Sequence, residues 1–82
     1  MHSYDEIYQA IKEILISDFE CKPEQVRPEA TLFEELDLDS IDAIDLIVRL
    51  QKIIGRKVTA EDFKQIRTLD DVVKVIEGLV NA

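Results

Sequence analysis

The sequence lacks most of the residues from which small catalytic and metal sites are built. Its 82 residues include one cysteine, one histidine, two glycines and no tryptophan. The lone Cys21 excludes an intrachain disulfide, and one cysteine with one histidine, His2, cannot complete a zinc site. A free thiol fits a reducing compartment. Two glycines, Gly55 and Gly78, are too few for a phosphate-cradling loop.

The sequence also shows no pattern typical of a leader and no long apolar run. The start of the chain has neither a basic region nor an apolar stretch of signal-peptide length, and no later run could span a bilayer. We therefore expect a cytoplasmic protein. The net charge is −8, with 13 acidic and 3 basic side chains in residues 1–48 but 5 acidic and 7 basic ones in residues 49–82. Such a field repels nucleic acids and anionic membranes and attracts basic partner surfaces.

Composition and pattern predict one small all-α domain that spans residues 1–82. Apolar residues make up 46% of the chain and only five residues are aromatic, so the core must consist of Ile, Leu and Val. Apolar residues recur at helical spacing, which predicts helices over residues 4–16, residues 40–54, a short stretch from Thr59 to about Gln65, and a last stretch from Thr68. The expected fold is a small four-helix bundle with three main helices, a short third helix and a long loop between helices 1 and 2.

Capping residues support these boundaries. Ser3, Asp39, Thr59 and Thr68 each stand where a helix needs an N-cap, and acidic residues follow in each first turn. After Thr59 and Thr68 the acid lies three residues on, which is a variant of the capping box. Gly55 is a natural stop for the second helix.

The segment of residues 18–38 has no sustained period, and two prolines interrupt it, with room for a short helical turn. A loop this long in a small domain is often functional or held by its own apolar residues. The residues available for that purpose are Phe19, Val26, Leu32, Phe33 and Leu36. We expect Cys21 to be an incidental loop residue and Tyr4 and Tyr8 to pack at the edge of the core.

The second predicted helix has apolar residues on two faces. At about 100° per residue, one face forms a core stripe of Ala43, Leu46, Ile47, Leu50 and Ile54. Ile41 and Val48 fall on the opposite side, where a surface helix should be polar, and Asp42 and Asp45 flank them. Either apolar residue alone is ordinary surface. Together, as a stripe edged with acids, they predict a partner-binding surface.

Ser40 stands at the start of this helix, but the sequence does not predict a catalytic serine. A serine nucleophile needs a base within hydrogen-bond reach, and the only histidine is His2 near the chain terminus. A Gly-x-Ser-x-Gly elbow is absent. A phosphoryl group on Ser40 would meet the positive end of the helix. We therefore expect a protein that is not an enzyme.

Calcium binding is an alternative for the acidic segment around Ser40. Asp37-Leu38-Asp39 begins like an EF-hand loop, but its position 6 is Asp42 rather than Gly and its position 12 is Val48 rather than Glu. The sharp turn and the bidentate ligand are both missing, which excludes a tight site. Loose divalent-ion binding stays open for the acids Glu34, Glu35, Asp37 and Asp39.

The run Phe33-Glu34-Glu35-Leu36-Asp37-Leu38-Asp39-Ser40-Ile41-Asp42 resembles the attachment motif of acyl carrier proteins, and the predicted helix order resembles that family over nearly the whole chain. The resemblance implies that a phosphopantetheinyl transferase attaches 4′-phosphopantetheine from coenzyme A to Ser40. It implies that Asp39 helps to hold magnesium in that complex. Ile41 and Val48 match family positions that contact partner enzymes.

The resemblance also implies a non-catalytic carrier in fatty-acid or polyketide biosynthesis. Acyl intermediates would be carried as thioesters to a ketosynthase and to reductase and dehydratase partners, and the carrier alone is expected to be a monomer. The shorter run from Leu38 to Leu46 is also similar to carriers of bacterial clusters that make aryl polyene or related specialised chains.

Two features depart from the family pattern. Many members have Gly where Asp37 stands, and many keep acids through the later part of the second helix, where this chain has Arg49, Gln51, Lys52 and Ile53. The charge of this helix therefore changes sign along its length. We interpret the change as a sign of dedicated partners rather than the general fatty-acid synthase.

Two alternatives complete the predictions. Peptidyl carriers usually have Gly-Gly-x-Ser or Gly-x-His-Ser at the attachment point, and Leu38-Asp39-Ser40 argues against them. In an unmodified helical interaction module, Ser40 would be only a helix-start residue. The cations Arg56, Lys57, Lys64 and Arg67 are interpreted as solvated surface or as a second partner site.

Overall fold

The computed structural model describes residues 3–81, so that the prediction made for His2 lies outside the described residues. The helices are α1 (Tyr4–Asp18), α2 (Ser40–Ile54), α3 (Ala60–Lys64) and α4 (Leu69–Val80), and a 3₁₀ turn spans Pro23–Gln25. The all-α prediction is confirmed, and α1 runs two residues beyond its predicted end. Within residues 3–81, none of the helices has the length and apolarity needed to cross a membrane.

Each helix begins at its predicted cap. The Ser3 hydroxyl accepts a hydrogen bond from the backbone N–H of Glu6, which satisfies one of the unpaired donors at the start of α1. The other three starts are reciprocal capping boxes, formed by Asp39 with Asp42, Thr59 with Asp62 and Thr68 with Asp71. Gly55 ends α2 with a left-handed φ of 69°, which glycine adopts without steric cost.

The core lies between α1, α2 and α4 and consists of aliphatic side chains. The predicted stripe of α2 is buried at Ala43, Leu46, Ile47 and Leu50, and Ile54 is half-buried at its edge. α1 contributes Ile7, Ile11 and Leu15, and α4 contributes Leu69, Val72, Val73 and Ile76. Burying each aliphatic side chain stabilises the fold by roughly 1.5–3 kcal/mol before conformational entropy is subtracted.

The long loop is held by its apolar residues, but not by all those predicted. Val26, Leu32 and Leu36 are buried, and Phe19 is half-buried. Phe33 was expected to join them and instead is 46% exposed. The prediction fails because the chain turns through residues 32–35 between the buried side chains of Leu32 and Leu36, and Phe33 lies on the exposed side of that turn.

Cys21 also differs from its prediction as an incidental residue, because its side chain is buried in the core cluster. Its backbone N–H donates to the carbonyl of Leu15 at 3.0 Å and so closes the end of α1. Burial raises the pKa of the Cys21 thiol, which favours an inert thiol over a reactive thiolate.

Backbone hydrogen bonds join the loop to the start of α4. The N–H of Leu69 donates to the carbonyl of Ala30 at 3.0 Å, and the N–H of Asp70 donates to the carbonyl of Pro28 at 2.8 Å. In the other direction, the N–H of Leu32 donates to the carbonyl of Arg67 at 3.0 Å. We call residues 28–32 and 67–70 the α4 seam. It fixes the end of the loop that leads to α2.

Tyr4 and Tyr8 pack at the edge of the core, as predicted, and both also donate hydrogen bonds. Their rings stack with centroids 6.4 Å apart. The Tyr4 hydroxyl donates to the Asp70 carboxylate at 2.5 Å, and the Tyr8 hydroxyl donates to the carbonyl of Val26 at 3.2 Å. The two phenols therefore connect α1 to the α4 seam and to the long loop.

Candidate functional site

Ser40 is the first residue of α2 and its side chain is exposed to solvent. Within residues 3–81, its hydroxyl makes no hydrogen bond and no histidine stands beside it. A serine–histidine pair, which activates the serine of many hydrolases, is therefore not formed within residues 3–81. The hydroxyl is accessible, and it lies at the positive end of a 15-residue helix, which favours an attached phosphoryl group.

The two carboxylates that flank Ser40 hold the start of α2. Asp39 Oδ1 accepts from the backbone N–H of Asp42 at 2.8 Å, and Asp42 Oδ2 accepts from the N–H of Asp39 at 3.4 Å. Each carboxylate uses one oxygen in the cap, so that the other oxygen is available to a cation. Because like charges repel, a phosphoryl group on Ser40 would favour a cation or a basic partner side chain close to this pair.

The exposed face of α2 carries three β-branched apolar residues. Ile41 is 74% exposed and Val48 is 39% exposed, in agreement with the helical wheel. Ile44, which the sequence reasoning overlooked, is 55% exposed and lies between them. Its spacing of three residues from Ile41 and four from Val48 is the signal that could have found it. We call these three residues the α2 docking face.

A groove runs beside the α2 docking face towards α3. It has a volume of about 370 Å³, and its lining is mostly apolar, with Ile44 and Val48 on one side and Val58 and Phe63 on the other. Exposed apolar residues at a groove are the features that a partner surface buries on contact.

The acids predicted to flank this face are in different environments. Asp42 is partly buried in the cap, whereas Asp45 is exposed. Asp45 Oδ2 lies 3.5 Å from Arg49 Nη2, and Arg49 Nη1 lies 2.5 Å from Asp18 Oδ2 at the end of α1. The Arg49 guanidinium also lies over the ring of Phe19, 5.5 Å from its centroid. Arg49 is therefore engaged within the molecule rather than free to meet a partner.

The departure at Asp37 coincides with an unusual backbone conformation. Asp37 has a φ of 56°, in the left-handed region that glycine adopts more readily than any other residue. Glycine, which the resemblance to the carrier family leads us to expect here, would adopt this φ without steric cost. Aspartate is among the non-glycine residues that tolerate the region best.

The other acidic side chains of the described residues are not grouped to bind a metal ion. No group of three or more His, Cys, Asp or Glu side chains in residues 3–81 is placed to hold a metal ion. Glu35, one of the acids considered for loose divalent-ion binding, pairs instead with Arg27. The basic residues that were interpreted as solvated surface or as a second partner site are all exposed, namely Arg56, Lys57, Lys64 and Arg67.

Comparisons with known proteins agree with the fold and the motif. The phosphopantetheine attachment site family matches residues 9–76. The chain is 48% identical over 77 residues to Acyl carrier protein 2 of Ralstonia nicotianae, which covers 94% of this chain and 95% of the relative. It is 34% identical over 74 residues to the acyl carrier protein of Coprothermobacter proteolyticus, with 90% of each covered. The crystal structure of the acyl carrier protein from Thermotoga maritima superposes with a TM-score of 0.82 at 26% identity, covering 95% of this chain and 91% of that chain.

Proposed function

The chain belongs to the phosphopantetheine-binding family of acyl carrier proteins, and from that premise we propose that Ser40 is the residue to which the 4′-phosphopantetheine arm is attached. The observation that carries the proposal is an exposed hydroxyl without a hydrogen-bond partner at the start of α2. Of the other serines, Ser3 caps α1 and Ser17 donates to the carbonyl of Glu13.

The residues around Ser40 fit such a group. When attached, the arm supplies a thiol that holds acyl groups as thioesters. Ser40 Oγ would form the ester bond to the phosphorus that carries pantetheine while the pyrophosphate bond of coenzyme A breaks, so that 3′,5′-ADP leaves, and the Ser40 proton would pass to a base of the transferase. Asp39 and Asp42 would offer their uncommitted oxygens to the magnesium or to basic side chains of the transferase. We propose a non-catalytic carrier, which supplies the attachment site while the transferase and the acyl-processing enzymes supply the catalytic groups.

We further propose that the α2 docking face, together with Asp42 and Asp45, meets the transferase, the ketosynthase and the other acyl-processing enzymes. The apolar residues would be buried on contact and the acids would steer basic partner side chains. Of the charge departures along α2, Lys52 is exposed and makes no ion pair in the described residues, which supports dedicated partners. Lys52→Glu should then slow condensation by the carrier's own ketosynthase, and unchanged turnover would contradict that interpretation.

The attachment site can be tested by intact mass. The protein is incubated with coenzyme A, magnesium and a broad-specificity phosphopantetheinyl transferase, with Ser40→Ala and the matched exposed-serine variant Ser17→Ala beside it. We expect one phosphopantetheine on the wild type and on Ser17→Ala, and none on Ser40→Ala. Modification of Ser40→Ala would overturn the assignment, and an unmodified wild type beside a modified reference carrier would favour the interaction module.

A further inference from the structure

Arg49 stands between a carboxylate of the proposed recognition surface and a carboxylate of another helix. Its two terminal nitrogens reach Asp18 at 2.5 Å and Asp45 at 3.5 Å, while its guanidinium covers the Phe19 ring. The Arg49 side chain remains 42% exposed, so the pairs are accessible to solvent and to a competing cation. One guanidinium thus serves two acids, and the pair with Asp18 is the closer.

The position of Asp18 explains why Arg49 favours it. Asp18 is the last residue of α1, at the negative end of the helix, and α1 has no basic residue in its last turn. A carboxylate there is unfavourable unless a cation compensates it. Arg49 provides the cation from α2 and adds a contact with the aromatic face of Phe19.

We propose that Arg49 is a specificity-determining residue that competes inside the molecule with partner cations for Asp45. This inference rests on the proposed function, in which Asp45 steers basic partner side chains. A basic side chain of a partner must either displace the Arg49 guanidinium from Asp45 or bind an Asp45 carboxylate whose charge is already balanced by Arg49. Asp18 opposes this masking, because it draws the same guanidinium away from Asp45.

Substitutions of Arg49 and of Asp18 should therefore change the rate of a basic partner in opposite directions. Removing the guanidinium charge uncovers Asp45, so a partner that uses Asp45 should react faster. Removing the Asp18 charge leaves Asp45 as the only close carboxylate of Arg49, so the same partner should react more slowly. A loss of folding cannot produce this pattern, because both variants remove the same α1–α2 ion pair and should then change the rate in the same direction. A general change in net charge can, because Arg49→Gln makes the protein more negative and Asp18→Asn makes it less negative.

Two control variants separate the effect of Asp45 from that of net charge, since net charge alone also predicts that the two substitutions change the rate in opposite directions. Lys12→Gln on α1 makes the same charge change as Arg49→Gln, and the Lys12 side chain makes no hydrogen bond or ion pair within residues 3–81. Glu13→Gln, on the same helix and exposed, matches the charge change of Asp18→Asn. A double variant, Asp45→Asn with Arg49→Gln, tests whether the effect of Arg49 passes through Asp45.

The experiment measures kcat/KM of a broad-specificity phosphopantetheinyl transferase for each variant at low ionic strength, where surface charges are least screened. We expect Arg49→Gln to raise kcat/KM about two- to fivefold over Lys12→Gln, and Asp18→Asn to lower it by a similar factor relative to Glu13→Gln. Asp45→Asn should lower kcat/KM and abolish the gain from Arg49→Gln.

The proposal is overturned if Arg49→Gln behaves like Lys12→Gln, or if its gain persists in the Asp45→Asn background. Thermal unfolding of every variant ensures that the rates refer to folded protein. Failure of the proposed function is distinguishable, because then no variant, including the wild type, would gain phosphopantetheine. Equal modification rates in all variants would instead leave the carrier role in place and reject the competition at Asp45.

Discussion

The α4 seam buries its aliphatic side chain at the start of a helix, whereas the α2 docking face leaves similar side chains exposed to solvent. In the seam, Leu69 is fully buried and its backbone N–H donates to the loop at Ala30. On the docking face, Ile41 and Ile44 are more than half exposed and lie outside the core cluster. The helices of both regions, α2 and α4, begin with a capping box, so local helix formation does not account for the difference in burial.

Under the proposed function, this small domain uses different residues for folding and for binding partners. An 82-residue chain buries a thin core, so each buried aliphatic residue of the seam matters to stability. The docking face leaves three β-branched residues in water, at a cost in hydrophobic free energy that only a partner can recover. Substitutions should therefore change stability in one region and reactivity in the other.

Leu69→Ala should have the largest effect, because it removes a fully buried side chain from the seam. We expect a loss of about 2–5 kcal/mol in the free energy of unfolding, out of a total of roughly 5–15 kcal/mol for a typical domain. Urea unfolding followed by circular dichroism measures it. The folded fraction should still accept phosphopantetheine at the wild-type rate, and a normal stability would show that the seam does not hold the fold.

Ile44→Ala should do the reverse. Because Ile44 is 55% exposed, the free energy of unfolding should change by less than about 0.5 kcal/mol. The transferase kcat/KM should fall about fivefold or more if Ile44 is buried in the complex. Ile53→Ala is the matched control, since Ile53 is 61% exposed on the same helix outside the docking face. An equal loss in both variants would contradict a localised face.

The sequence predicted the features that depend on neighbours along the chain. All four caps, the Gly55 stop and the buried stripe of α2 follow from spacing of three or four residues, and all are found. Ile44 was missed because the wheel was divided into two opposite faces, and Ile44 projects between them beside the groove to α3.

Contacts between distant segments could not be predicted in this way. Arg49 reads as a departure in charge, but its role depends on Asp18, which is 31 residues away in sequence. The burial of Cys21 and the exposure of Phe33 depend on how the loop turns, and apolar character alone does not specify direction. The left-handed conformation of Asp37 is also a property of the folded loop.

Asp37→Gly should change the free energy of unfolding by a smaller amount. Asp37 lies in the turn that leads to the docking face. Glycine relieves the cost of a left-handed φ but adds conformational entropy to the unfolded chain, so we expect a net gain of about 0.5 kcal/mol. Urea midpoints measure the gain. Asp37→Asn removes the charge and still tolerates this φ, so an equal gain in both variants would assign the effect to charge instead.

Tyr4→Phe should have the smallest effect, and its pH dependence identifies the bond that is lost. The hydrogen bond to Asp70 is the main reason that the pKa of Tyr4 is raised to about 12, and the same bond lowers the pKa of Asp70 below its usual value. The stability from Asp70 is therefore present above about pH 4 and is lost as the pH falls through its lowered value. The stability from Tyr4 is complete below about pH 10 and is lost as the pH rises from there to about 12.

The difference in melting temperature between wild type and Tyr4→Phe should consequently be constant from about pH 5 to pH 9 and should shrink towards both extremes. Asp70 also pairs with Lys74 at 3.0 Å, and Lys74→Gln provides a control that removes the other partner of the same carboxylate. Its difference from the wild type should shrink in acid but not between pH 9 and pH 10, where Tyr4 remains protonated. A difference for Tyr4→Phe that stays constant down to about pH 2 would mean that the Tyr4 hydroxyl stabilises the fold independently of the charge on the Asp70 carboxylate.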